Sequence, residues 1–580
     1  MKKNYTLLLI TILLINFNLI FAQQNNDLPN HGLTHSLSAG ETFNANDFGT
    51  NFRITNPPIA PVRNIAEFEP AEAVLIAYAS GFGLPYSVIK DLSNSGHVII
   101  AAKSSNQTTA LNLLTTNGVN TANCSFLTAT VDSWWTRDYS GWFIADSSNH
   151  VQVVDFTYNR SSRPNDDSLT KYEAALLGTT YYGMNLKTTG GNWMCDGYNG
   201  AVSTVLVQQE NTGLTTAQIQ QDVLDYLGIN NYMIVPDALG QTIEHIDCWA
   251  KFLAPDKILV DSVPSTDSRY SQFEAAAAYF ASTNCSYNYP YKVYRTLIDG
   301  SSLSAATQPY SNSFIFNNRV FVPIGGGTSS ANDTAALIVY RNAMPGYIVK
   351  GYTSIVSSQV WLNSDALHCR THEIADSDML YIQHYPLFGL INYSPTGYDI
   401  NAKVVSYGGY AIAGNYPMVK YRINYNGQWD SLTMGYVSYL NYKATIPAQN
   451  AGDTVYYYIK AKDVNGKTAY HALMGQADPH FFIIGTSSGI QENNFNPEIS
   501  FFTYPNPSKG SFILFTKSNY TGNASVKIFN VTGSLVYNEN FEMVNGNSMK
   551  SINAGNLSQG IYMMEVRTKS NVLTKQLVIQ

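Results

Sequence analysis

Between Pro61 and about Pro395, apolar and polar residues alternate in short runs that come in pairs, each pair joined by a tight turn of Asp, Asn, Gly or Lys. Four pairs stand out: GWFIADSSNHVQVVDF (141–156), NWMCDGYNGAVSTVLV (192–207), CWAKFLAPDKILVDSV (248–263) and NSFIFNNRVFVPI (312–324). Period-two alternation turns one face of each run inward and the turn residues close a hairpin, so each pair predicts two antiparallel strands. Helical stretches follow three of them, at 216–227, 269–281 and 332–343, and short β-rich runs such as 232–235 and 347–349 come next. A unit of strands plus helix that repeats predicts an α/β fold of propeller type, its units set around a ring. Residues at equivalent places in such units face one another at the axis. Asp138, His245 with Asp247, Asn312 and Cys369 each lie at or just before a strand, so they are expected to meet.

Past that region the pattern changes. From Asp399 to Gly485 the chain alternates strongly, as in YPMVKYRINY, GYVSYLNYKATI and DTVYYYIKAKD, with turns at Asn426-Gly427 and Asn465-Gly466. That pattern predicts an all-β, immunoglobulin-like domain over 397–485. A polar linker (486–500) leads to a further block of short strands, 501–580. At the other end, Lys2 and Lys3 precede the apolar run Leu7–Ile20 and then Phe21-Ala22-Gln23, the order of a secretory signal peptide ending at residue 22. Residues 23–60 are polar and Asn-rich and read as a leader or pro-segment. The repeating region is then a domain over 61–396.

Composition changes this picture in three ways. A net charge of −7 over 580 residues gives no basic excess to hold a phosphate backbone, which argues against nucleic acid as a partner. Forty-one Tyr and 41 Gly favour strands and turns over helical bundles. Five cysteines, with no C-x-x-C, leave an odd thiol in an exported chain.

The densest chemistry is ALHCRTHEIAD (366–376). Cys369 stands among His368, Arg370 and His372, and cationic neighbours favour the reactive thiolate. His368 and His372 are four apart, but the H-E-x-x-H order of a zinc site is missing, so no metal is assigned. In EHIDCWAKF (244–252), His245 and Asp247 share a face if the segment is extended, and His suits proton transfer. In WWTRDYSGWF (134–143) the aromatic residues suggest a closed pocket in which Asp138 needs a cationic partner. NRSSRPNDD (159–167) carries Arg160 and Arg163, which read either as solvated loop charge or as a carboxylate clamp. TTGGNWMCDG (188–197) and GGGTSS (325–330) lack the Lys of a phosphate-binding loop and read as turns.

Taken in order, WTRDYSGW, VDFTYNR, RPNDD, GGNWMCDG, HIDCWAKFLAPDKILV, SNSFIFNNRVFVP and ALHCRTHEIAD closely resemble the bacterial secreted peptidylarginine deiminases, relatives of agmatine deiminases in the guanidino-group-modifying superfamily. The resemblance implies five α/β units with pseudo-five-fold symmetry. It implies that Cys369 attacks a guanidinium carbon, that Asp138 and Asp247 hold the guanidinium, and that His245 moves the protons. Asn312 would orient the substrate or the sulfur, and Trp135 would cover the bound side chain. No cofactor is implied. Arg160 and Arg163 correspond to two arginines that grip a C-terminal arginine's carboxylate; the relatives carry N-R-x-R-P, and this chain has N-R-S-S-R-P, one residue longer. The expected substrates are arginine peptides and proteins, with agmatine or free arginine as the alternative, and the expected state is a monomer. YPNPSKGSF (504–512) and NLSQGIYMMEV (556–566) resemble a type IX secretion sorting domain, which would engage the export machinery and place the protein outside the cell.

Overall fold

The computed structural model describes residue 35 and residues 54–579, apart from 241–242, 299–308, 326–329, 355–360, 362–364, 486–498, 505 and 570–571. The signal-peptide expectation and most of the linker therefore lie outside the described residues. The chain divides into two compact units, Met1–Ala277 with Tyr294–Met379, and Ala278–Val293 with Leu380–Gln580.

The first unit is mixed α/β. Its described strands form five sheets, and each begins with an antiparallel pair. The pairs are Trp142–Ala145 with Val151–Tyr158, Met194–Cys195 with Gly200–Thr204, Ala250–Ala254 with Lys257–Ser262, Phe314–Phe316 with Arg319–Pro323, and His372–Ala375 with Ala71–Ala77. The first four are the hairpins that the alternation predicts. The fifth joins the end of the unit to its beginning, a pairing that no local pattern announces. Each second strand is followed by a helix and another strand of the same sheet. Where the chain crosses over such a helix the added strand is parallel, as in Gly200–Thr204 with Asn231–Val235 and Arg319–Pro323 with Ile348–Tyr352.

The helices follow from local chemistry. Thr216–Leu227 opens with a capping box between Thr215 and Gln218 and ends at Gly228, whose φ is 70°. A Cβ at Gly228 would lie 1.9 Å from the Val62 carbonyl oxygen, so only glycine fits. In Tyr86–Ser95, Val88, Ile89 and Leu92 fall on one face and are buried against the parallel strands Ala71–Ala77 and His97–Ala102. Each such side chain contributes about 1.5–3 kcal/mol of burial energy.

The second unit is β-rich. Two sheets, running from Leu380–Gln383 to Gly435–Ser438 and from Gly389–Ile391 to Asp430–Thr433, bury a common core that includes Ile400, Val404, Val419, Tyr457 and Phe482. Two further sheets between Ile499 and Ile579 share another, including Phe512, Leu514, Val526 and Val566.

The candidate active site

In each sheet of the first unit a tight turn leads into the first strand of the antiparallel pair. These turns are Thr136–Tyr139, Gly190–Asn192, Ile246–Cys248, Pro309–Asn312 and His368–Arg370. Their polar residues converge. If the segment around His245 were extended throughout, His245 and Asp247 would share a face; instead a 3-10 turn, Ile246–Cys248, begins straight after His245, and another, His368–Arg370, holds Cys369, so neighbouring side chains go to different partners.

Cys369 is fully buried. Its Sγ lies 3.2 Å from Asn312 Nδ2 and 3.7 Å from Asp247 Oδ2. Asn312 ties three turns together. Its Nδ2 donates to Asp247 Oδ2 at 3.1 Å, and its Oδ1 accepts from the backbone N–H groups of Ala366 at 3.1 Å and Cys369 at 3.3 Å. Asp138 Oδ1 stands 3.7 Å from His245 Nδ1, and neither His245 ring nitrogen has a hydrogen-bond partner among the described residues.

The space between these groups is kept open by a glycine that the sequence reading takes as part of a turn. A Cβ on Gly191 would lie 2.6 Å from His245 Nδ1, 2.7 Å from Asp138 Oδ1 and 3.3 Å from Asp247 Oδ2. Its signal in the sequence is its place, just before a hairpin strand, where the other units carry polar site residues.

Burial and charge set the protonation. Burial raises the Cys369 thiol well above its ordinary range, and the carboxylates of Asp247, Asp138 and Asp365 push it further the same way. Burial lowers His245 to about 4 against the opposing pull of Asp138 and Asp247. Burial would raise both Asp carboxyls, yet each is held below its ordinary value: Asp138 chiefly by the charge of His35, Asp247 chiefly by a hydrogen bond from His368. The thiol and imidazole are thus both neutral, beside two carboxylates.

This corrects the expectation that cationic neighbours activate Cys369. His368 Nδ1 donates to Asp247 Oδ2 at 2.7 Å and Nε2 to Glu67 Oε2 at 2.9 Å. Arg370 makes a two-bond fork with Asp365, at 2.7 and 2.6 Å. His372 donates through Nδ1 to the Glu373 carbonyl. The sulfur is left facing carboxylates.

Trp135, Arg160 and Arg163 border the same space. Arg163 is fully buried, with its guanidinium 5.2 Å from the Trp135 ring centre. Arg160 is buried too and donates to Asn159 Oδ1 at 2.8 Å. Neither arginine is the solvated loop charge that composition favours. Asp166, in the same segment, is buried as well and accepts from Ser133 Oγ and the Asp132 and Ser133 N–H groups.

Among the described residues two triplets place three metal-type donor atoms within 4.8 Å of one another: His35, Asp138 and His245, and His35, Asp365 and Cys369. His368 and His372, the pair whose spacing suggests a metal, belong to neither.

Residues 63–374 match the Porphyromonas-type peptidyl-arginine deiminase family, and residues 503–580 match a secretion system C-terminal sorting domain. A Legionella pneumophila protein provisionally named as an agmatine deiminase is 25% identical over 269 residues, which cover 43% of this chain and 75% of that protein. The solved structure of the Enterococcus faecalis agmatine deiminase is 19% identical and covers 56% of this chain and all of its own, with a TM-score of 0.47. A Porphyromonas gingivalis structure provisionally named as an arginine deiminase is 20% identical over 55% of this chain and 99% of its own, with a TM-score of 0.47. The sorting domain marks a secreted or cell-surface protein whose C-terminal block engages the type IX secretion machinery. With its family match spanning more than half its length, the chain belongs to the Porphyromonas-type peptidyl-arginine deiminases, hydrolases that act on the carbon–nitrogen bonds of guanidino groups.

Proposed function

We propose that this protein converts arginine at the C-terminus of peptides to citrulline and ammonia. The five sheets of the first unit form a five-fold pseudo-symmetric propeller, with the catalytic turns at its axis. An immunoglobulin-like domain over 397–485 links it to the sorting domain. The mature enzyme works as an exported monomer after loss of its signal peptide, and it needs no cofactor.

The mechanism starts from the neutral thiol. A guanidinium entering beside Gly191 places its positive charge between Asp138 and Asp247, each carboxylate accepting from its N–H groups. That charge offsets the field holding the Cys369 proton, and the proton passes to His245. The thiolate adds to the guanidinium carbon, with Asn312 orienting the sulfur. The His245 imidazolium returns the proton to the leaving nitrogen, and ammonia departs from a covalent thiouronium. Neutral His245 then takes a proton from water as it attacks, and the carbon–sulfur bond breaks to give citrulline and the thiol. Trp135 covers the substrate side chain.

The observation that carries the substrate choice is Arg160. Its Nη2 donates to a main-chain carbonyl, that of His35, at 3.3 Å, while the ring of the same residue meets Asp138. The guanidinium pocket and a main-chain-binding arginine are therefore one residue's length apart. A free α-carboxylate there gains a charge-assisted bond that an internal amide cannot match. Arg163, placed against Trp135, supports that side of the pocket as the second half of the clamp.

The test is kcat/KM for a peptide ending in arginine, the same peptide amidated, and agmatine. The free acid should be the best substrate by ~tenfold or more, in keeping with a charge-assisted bond. Arg160→Ala should remove most of that preference, and Arg163→Ala less. Equal turnover of agmatine or the amide would favour the small-molecule or internal-arginine reading.

A further inference from the structure

His35 is the one residue before 54 with a described position, and it lies inside the site. It is almost fully buried. Its Nε2 donates to Asp138 Oδ2 at 2.7 Å. Its ring stacks on Trp135, centres 5.0 Å apart and planes 25° apart, and meets His245 edge-on at 5.7 Å. Its carbonyl accepts from Arg160. Its donor set with Asp365 and Cys369 lies within 4.8 Å, so the ring reaches the sulfur's surroundings as well. Burial works against a charge on His35, but the carboxylate of Asp138 overrides it and raises the imidazole above its ordinary value.

Each contact copies one that the proposed reaction asks of arginine. A planar cation sits on the indole, donates to the Asp138 carboxylate, and leaves its main chain to Arg160. The residue comes from the polar segment ahead of the catalytic unit, 103 positions before Asp138.

We propose that the arginine subsite also binds a histidine side chain, and that the chain's own His35 occupies it as a substrate mimic which the substrate must displace. The inference rests on Asp138, Trp135 and Arg160 being the substrate subsite, as in the proposed function. The ligand class is a peptide imidazole with a free main-chain carbonyl on the Arg160 side. His35 then acts as an intramolecular competitor. Only the fraction of molecules in which its ring has left the subsite takes substrate, and apparent affinity falls by that fraction.

The experiment compares the full chain with its His35→Ala and His35→Gln variants. Both replacements lie outside the catalytic unit's sheets, and two of them guard against one failing to fold. The first readout does not need turnover: the rate at which iodoacetamide alkylates Cys369, followed by peptide mass spectrometry. Both variants should react at least ~tenfold faster than the parent, as a mostly occupied subsite requires. A synthetic peptide of residues 31–39 should slow alkylation of His35→Ala again, and the same peptide with His35 replaced by Ala should not. The second readout is arginine deimination, where the variants should show a lower KM with little change in kcat. Equal alkylation rates in parent and variants, or no protection by the 31–39 peptide, would overturn the proposal. A difference in alkylation without deimination of any arginine substrate would leave the occupied subsite standing and overturn the proposed reaction instead.

Discussion

Two buried polar clusters meet at the turn His368–Arg370, and they are built on opposite plans. On one side every charge has its partner. Glu67 accepts from Lys251 Nζ at 2.6 Å, His368 Nε2 at 2.9 Å and the Ile315 N–H at 2.7 Å. Arg137 pairs with Glu373 at 2.6 Å, and Arg370 with Asp365 and the Gly83 carbonyl. On the other side, Asp138 Oδ1 and both His245 nitrogens lack hydrogen-bond partners among the described residues, and Cys369 faces carboxylates. Asp138 is paired through Oδ2 with His35 and Asp247 through Oδ2 with His368, so this cluster holds its carboxylates on histidine partners and leaves Asp138 Oδ1 and His245 open to a further cation. His368 joins the two clusters, bonded to Glu67 at one nitrogen and Asp247 at the other. Unmet hydrogen-bonding capacity, rather than residue type, separates the scaffold from the reactive face.

The open side should answer in catalysis. Cys369→Ala should abolish citrulline formation with the fold intact. Asp138→Asn and Asp247→Asn should each lower kcat/KM by about 3–5 kcal/mol, the range for losing one partner of a desolvated charge pair. Asp138→Asn should also lower thermal stability, since it leaves the buried His35 imidazole without its carboxylate partner. A kcat/KM within threefold of the parent in either variant would remove the distinction between the clusters.

The satisfied side should answer in stability. Arg370→Met leaves Asp365 buried without its fork, which should cost about 3–5 kcal/mol in denaturant unfolding. An Arg370→Met protein as stable as the parent, but inactive, would mean that Arg370 serves the chemistry and that the two clusters are not separate.

The dependence on pH, a change of about tenfold per unit, is the most diagnostic of the thiol. A raised folded-state value keeps Cys369 protonated at neutral pH, so its reactivity should climb with pH and show no plateau before the ordinary thiol value of 9.0. His245, held to about 4, carries no charge above that and cannot flatten the curve. Alkylation of Cys369 in the His35→Ala protein should rise about tenfold per pH unit from 6 to 9. A plateau below 8 would show a thiolate–imidazolium pair already formed in the resting enzyme.

By itself the sequence determined the local elements: four hairpins from alternation and turn residues, the helices at 216–227, 269–281 and 332–343 to within two residues, and the strand-rich C-terminal third. It also placed Asp138, His245, Asp247, Asn312 and Cys369 at one phase of the repeat, because short-range periodicity is written in neighbouring residues. Tertiary structure alone decided the rest. The closing strand His372–Ala375 pairs with Ala71–Ala77 across some 300 positions, a register that no window of sequence contains. Gly191 matters for the side chain it lacks, and that is visible only when His245 and Asp138 stand around it. The same is true of charge. His368, Arg370 and His372 look like activators beside Cys369 in the sequence, but 3-10 turns and distant carboxylates turn them to Asp247, Glu67, Asp365 and a backbone carbonyl. His35, in a polar stretch without pattern, became part of the site only through Asp138, 103 residues away. Protonation and occupancy depend on burial and on partners remote in the chain, and those are properties of the folded molecule.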